Sequence, residues 1–182
     1  LEIVRPLLDD LTTTGAASTD LMVGFDVRDI AQSVEVEVDV DLASVTVDSA
    51  LLGLTAERVS GGLSYETELG FESDDLGGVL FGRELKVEMK PELSRTADAL
   101  LAAQLNFDLD IKDIMTWRSV SIVPPIDGVI PMEIMVTVAD QITVEVASDL
   151  EGARIDLPRP WGKARESSAP LRLVWHDRGW AD

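Results

Sequence analysis

Between Val34 and Leu42 the sequence reads VEVEVDVDL, with an aliphatic residue at every even position and an acid at every odd one. Successive side chains of a β-strand point to opposite faces, so this alternation builds a strand with one dry face and one wet face. The same period of two returns at Leu85, Val87, Met89; at Leu105, Phe107, Leu109, Ile111; at Met132, Ile134, Val136, Val138; and at Ile142, Val144, Val146. A chain patterned this way is all-β, and what covers its dry faces decides what it does.

The periodicity predicts about a dozen strands, over 20–28, 33–42, 43–49, 53–60, 63–70, 75–82, 83–91, 99–110, 119–124, 130–139, 141–149 and 170–176. Ser60 to Gly62, Gly77 and Gly78, Pro124 to Gly128, and Ala139 with Asp140 supply turn chemistry between them, giving an antiparallel meander. The apolar parity switches between Leu42 and Val45, as a bulge or tight turn requires. Helical spacing is confined to Ile3–Leu11, which Gly15 would stop, and to a short helix over Ile111–Trp117. Leu93 to Gln104 fits either period, and its second half reads as strand. So few helices cannot roof a dozen strands, which leaves a sandwich, a closed barrel or an open curved sheet.

Composition removes several functions. With 15 Lys and Arg against 34 Asp and Glu the net charge is −19, which repels phosphate backbones and anionic bilayers, so nucleic acid is not a partner. Aromatic residues make up 5% of the chain, too few for base or sugar stacking, while 46% apolar residues over 182 positions are ample for one domain spanning 1–182. Without cysteine there is no thiolate chemistry, and His176 alone cannot build a zinc site or a Ser/His/Asp arrangement; it reads as a solvated edge residue. Glu35, Glu37, Asp39 and Asp41 stand at the roughly 6.5–7 Å spacing of alternate strand residues, yet such a run reads as a wet outer face rather than an acid/base pair. Gly61, Gly62, Gly77, Gly78 and Gly82 lack the Lys and helix start of a phosphate loop. Met89, Met115, Met132 and Met135 read as flexible apolar fillers. No catalytic constellation, metal site or cofactor is expected. The start at Leu1 and the end at Asp182 lead to the expectation of a fragment of a longer protein.

Two segments, GGLSYETELGFESDDLGGVLFGRELKV from Gly61 to Val87 and SDLEGARIDLPRPWGKARESSAPLRL from Ser148 to Leu173, carry a resemblance. They are similar to the AsmA-like envelope proteins of Gram-negative bacteria, in particular the YhdP branch. There a Leu-Phe-Gly strand, here Leu80, Phe81 and Gly82, precedes an S-D-L-x-G and L-P-x-P-x-G-K signature. That signature falls here on Ser148, Asp149, Leu150, Gly152, Leu157, Pro158, Pro160, Gly162 and Lys163.

The resemblance implies an elongated, curved, open antiparallel sheet with one or two short helices. It would be a periplasmic segment of a bridge anchored in the inner membrane by a span outside this chain, passing phospholipid acyl chains along an apolar groove toward the outer membrane. The groove would be lined by Val34, Val36, Val38, Val40, Leu85, Val87, Met89, Leu105, Phe107, Leu109, Met132, Ile134, Val136, Val138, Ile142, Val144 and Val146. Lys163 and Arg165, in the one locally basic stretch, would meet a lipid phosphate or merely neutralise nearby acids. Pro158 and Pro160 cannot serve a strand ladder, so Leu157–Lys163 should leave the sheet as a rim loop. Unpaired edges would favour edge-to-edge association of copies. The alternative is a structural or interaction β-sandwich module in envelope assembly.

Overall fold

The computed structural model describes residues 10–25, 34–50, 53–96, 99–119 and 125–177. They form one open antiparallel sheet of ten strands. In chain order these are β1 (Leu11–Gly24), β2 (Glu35–Ser49), β3 (Leu54–Glu66), β4 (Gly70–Leu80), β5 (Arg83–Met89), helix α1 (Pro91–Thr96), β6 (Leu101–Asp110), helix α2 (Ile111–Trp117), β7 (Ile126–Val138), β8 (Ile142–Ser148), β9 (Ala153–Ile155) and β10 (Leu171–Asp177). Each strand from β1 to β8 lies beside its sequence neighbour, β10 lies beside β8, and β9 pairs only with the start of β7. Among the described residues no second sheet lies over either face, so the closed sandwich is not the architecture.

Long strands replace several of the expected short ones because glycines that the sequence offers as turn residues lie inside strands. Gly61 sits inside β3 with φ +125°, and a Cβ there would collide with the backbone of Asp75 in β4. Gly77 and Gly78 likewise lie within β4, where the neighbouring carbonyls of Leu85 and Glu57 stand 3.0 Å from where their Cβ atoms would be. Glycine in a strand interior marks a bulge or a close backbone approach, and here it does both. The true turns are Thr67–Leu69 and Phe81–Gly82. Gly128 also falls inside a strand, β7, at φ +126°.

The parity switch after Leu42 is a bulge. The register of β1 on β2 shifts between Thr14 and Ala16, with Ser44 at φ 58° as part of the extra length. That insertion returns Val45 and Val47 to the face already occupied by Val36, Val38, Val40 and Leu42. Gly15 therefore serves the bulge, its missing Cβ leaving room for Val45 Cα, and it does not stop a helix. Of the expected opening helix, Asp10 is helical and Leu11 is already strand, while Ile3 to Asp9 lies outside the described residues. So do the tail of the strand expected over 20–28, from Asp26 on, and all but Ser119, a turn residue, of that over 119–124.

Both helices sit at strand ends. Asp110 caps α2, its carboxylate accepting from the Lys112 N–H at 3.0 Å. Ile111 and Ile114 then join Leu85, Phe107, Leu109, Ile130 and Ala153 in the core cluster, which sits where β5, β6 and β7 meet α2 and β9. At the other end of β6, α1 packs against β6 and β4, and the buried Ser94 hydroxyl accepts from the Ala102 N–H at 3.0 Å.

Candidate functional site

Strand pairing sorts the side chains into two faces. Directly opposed residues of paired strands share a face, so the register can be read straight across the sheet. One row runs Leu76, Val87, Leu105, Ile134, Val146, Leu173 across six strands. Beside it runs Met89, Ala103, Val136, Val144, Trp175. On the β1 side the same face carries Val23 with Val36, then Leu21, Val38, Tyr65 and Phe71 in a row, then Val40 with Leu63. The Tyr65 and Phe71 rings lie 4.9 Å apart. Six strands at the usual spacing of about 4.8 Å give the first row a length of about 24 Å.

The opposite face is polar. Its matching rows are Lys86, Asn106, Glu133, Ala147, Arg172 and Glu88, Gln104, Met135, Glu145, Val174. Arg172 Nη2 donates to Glu145 at 2.9 Å with Nε 2.7 Å from the same carboxylate, and this hydrogen bonding together with the glutamate's charge raises the guanidinium pKa above its ordinary value. Toward β1 this face turns acidic: Asp20 stands opposite Asp39, and Glu37 opposite Glu66. His176 lies exposed on the last strand with Nδ1 3.1 Å from Thr143 Oγ1. A hollow of about 990 Å³ opens on this face, lined by Lys86, Asn106, Asp108, Glu133 and Arg172 among others. Cations and acids alternate around it, so it favours no single charged ligand.

The apolar face is closed in one place and open in others. Leu85, Phe107, Leu109, Val138 and Ile142 are buried by the chain itself. They belong to the core and leave no surface for a ligand. Val36, Val38, Val40, Val87, Met89, Leu105, Met132, Ile134, Val136, Val144 and Val146 are half-buried, and Val34 is exposed just ahead of β2. Exposure rises toward both flanks: Leu21 is 66% and Val23 51% exposed in β1, and Leu173 is 57% and Trp175 56% exposed in β10. These four, with Leu63, Tyr65, Phe71 and Leu76, are face residues absent from the expected lining. The alternation Leu171, Leu173, Trp175 and the pair Leu21, Val23 carried the signal.

The signature Leu157–Lys163 does leave the sheet. It forms a loop closed at its base, where Ile155 and Lys163 exchange two backbone hydrogen bonds of 3.0 Å. Lys163 Nζ donates to the carbonyls of Leu150, Ala153 and Ala164 at 2.8, 3.0 and 3.1 Å, using every proton of the ammonium group. Arg165 meets Asp127 of β7 at 2.7 Å. Both side chains therefore tie the loop to β7 and β9; Arg165 does so through an acid, whereas Lys163 is held by backbone carbonyls and meets neither an acid nor a phosphate among its partners.

No protein-family model matches the chain, and no curated protein or solved structure matches it.

Proposed function

We propose that this chain is a segment of a periplasmic lipid-transfer bridge of the AsmA-like kind, anchored through the inner membrane in the full-length protein, whose apolar sheet face carries phospholipid acyl chains. The observation that supports this reading is the one-sidedness of the sheet. Apolar residues occupy one face from β1 to β10, no second sheet covers that face among the described residues, and its residues on the flanking strands β1 and β10 are the most exposed. A surface of this size left to water is costly, and contiguous exposed apolar area marks a binding surface.

Acyl chains fit the chemistry of that surface. They have no polar groups to satisfy, and the half-buried rows of Val, Leu, Ile and Met offer none. Each methylene transferred from water is worth about 0.8 kcal/mol, so a chain with a dozen methylenes in contact gains on the order of 10 kcal/mol before ordering costs. The rows run across the strands, so a lipid moving from β4 toward β10 meets the same environment at each step. Such transport breaks no covalent bond and calls for no catalytic group. Charged and polar side chains stay on the far face, where they keep the protein in solution.

Native mass spectrometry after incubation with diacyl phospholipid vesicles tests the reading. The expected result is a stoichiometric phospholipid adduct that survives transfer to the gas phase. A chain that emerges free of lipid after saturating incubation would overturn it.

A further inference from the structure

We infer that Arg159 and Trp161, at the tip of the loop Leu157–Lys163, are the headgroup contact for the lipid that the apolar face carries. Arg159 meets the phosphate, and Trp161 packs beside it on the glycerol and the first acyl carbons. This rests on the lipid-transfer reading and names the polar end of its site.

The loop holds its tip in place through its own backbone. Ile155 and Lys163 bridge the base with two hydrogen bonds, and the Trp161 N–H donates to the Pro158 carbonyl at 2.9 Å. A Cβ on Gly162 would collide with the Leu157 carbonyl oxygen, so the turn is tightly wound. Pro158 and Pro160 fix φ on either side of Arg159. A loop ordered before it meets a ligand loses little entropy on binding.

The base of the loop stands at the edge of the apolar face. Ala153 belongs to the core cluster, Leu150 and Ile126 pack against it, and Ile155 lies opposite Ile126 in the register of β9 on β7. What this base carries outward belongs to no core. Trp161 is 73% exposed, more than any other large hydrophobic side chain among the described residues, and Leu157 is 44% exposed.

Charge selects the ligand. Arg83, Lys86, Lys90, Arg154, Arg165 and Arg172 each lie within 4.0 Å of a carboxylate. Arg159 is exposed and makes no ion pair among the described residues. From Leu157 to Arg165 the chain has Arg159, Lys163 and Arg165 and no acid, in a protein of net charge −19. Lys163 and Arg165 are engaged by carbonyls and Asp127, which leaves Arg159 to meet an anion. A guanidinium fork matches phosphate oxygens, and an indole sits well at the boundary between headgroup and hydrocarbon.

The test compares phosphatidylcholine with diacylglycerol of the same acyl chains, titrated onto the chain and read by native mass spectrometry. Phosphatidylcholine brings a phosphate without net charge, so the acidic protein does not repel it. The unmodified chain should bind phosphatidylcholine about fivefold more tightly than diacylglycerol, and Arg159→Gln should erase that margin. Trp161→Ala should weaken both lipids about tenfold. Lys163→Met should load like the unmodified chain, and melting of the Arg159 and Trp161 variants should be unchanged because both side chains are exposed. Equal binding of the two lipids by the unmodified chain, or a margin that survives Arg159→Gln, would overturn the inference and leave the lipid-transfer reading standing. So would undiminished loading of Trp161→Ala, or displacement of phosphatidylcholine by an equal concentration of glycerophosphate, which would mean a site for free phosphate. A chain that takes up neither lipid would overturn both.

Discussion

Single residues hold this sheet in shape through the backbone as much as through packing. Gly152 adopts φ +93°, and a Cβ there would run into the Val129 carbonyl oxygen of β7. Gly152→Ala should therefore destabilise the chain by about 2–3 kcal/mol, combining left-handed strain with the clash, read as a lowered midpoint in urea with unchanged slope. Lys163 works differently. Replacing it by Met keeps the aliphatic stem but removes a charged donor from three carbonyls, of which Leu150 keeps the Ala153 N–H and Ala164 keeps the Ser167 N–H and hydroxyl, at a cost of about 1–3 kcal/mol by the same measurement. Because the ammonium is already occupied, Lys163→Met should leave phospholipid loading intact at temperatures where the fold persists. A selective loss of loading from a folded Lys163→Met protein would return the residue to a headgroup role.

At the scale of elements, the alternation of side chains decided the faces and the cross-strand neighbours decide the energy. Glu37 and Glu66 oppose one another across β2 and β3, with no cation opposite either of them among the described residues. Glu37→Gln should raise stability by about 0.2–1 kcal/mol, and the gain should shrink as salt is added. Thermal melts at low and high ionic strength check this; a destabilised variant would mean that the acids are held by a partner. The short helix α2 is legible from Ile114 and Trp117, and its placement explains why part of the apolar face is shut. Ile111→Ala should cost about 2–4 kcal/mol, since Ile111 is buried in the core cluster. Strand boundaries were less legible. Period-two patterning located nearly every strand, but Gly61, Gly77 and Gly128 carry the same letter whether they end a strand or let two backbones close up. Only the opposing strand distinguishes these uses. β9 was missed because three residues offer no period, and the Thr-rich first half of β1 was missed because it has almost no apolar residues to alternate.

For the whole molecule, the alternation and the scarcity of helices made an antiparallel all-β fold legible but left the choice among sandwich, barrel and open sheet undecided, and the open form was implied by the resemblance; the assignment of Val36 to Val40 and of Val144 and Val146 to one face followed from parity alone. How deep each residue lies did not. Leu85, Phe107 and Leu109 have the same pattern as Val136 and Val144, yet α2 and β9 close over the first group. That depends on where the chain folds back after Asp110 and Ser148, which no periodicity encodes. The same fold-back gives Lys163 and Arg165 their partners. The remaining surface, from Val87 and Leu105 through Val136 and Val144 to Leu173 and Trp175, is where the proposed conduit stands or falls. Val136 and Val144 oppose one another there, half-buried. A carboxylate at either position would sit against bound acyl chains, which disfavour it by several kcal/mol, but could reach water when lipid is absent. Asn106→Asp adds a charge to the polar face beside Lys86 and serves as the control. The decisive measurement is phospholipid loading, paired with a thermal melt, for Val136→Glu, Val144→Glu and Asn106→Asp. The account predicts cooperative melting in all three and loading lost in the two valine variants alone; undiminished loading of Val144→Glu, or its failure to fold as a buried core residue would, contradicts it.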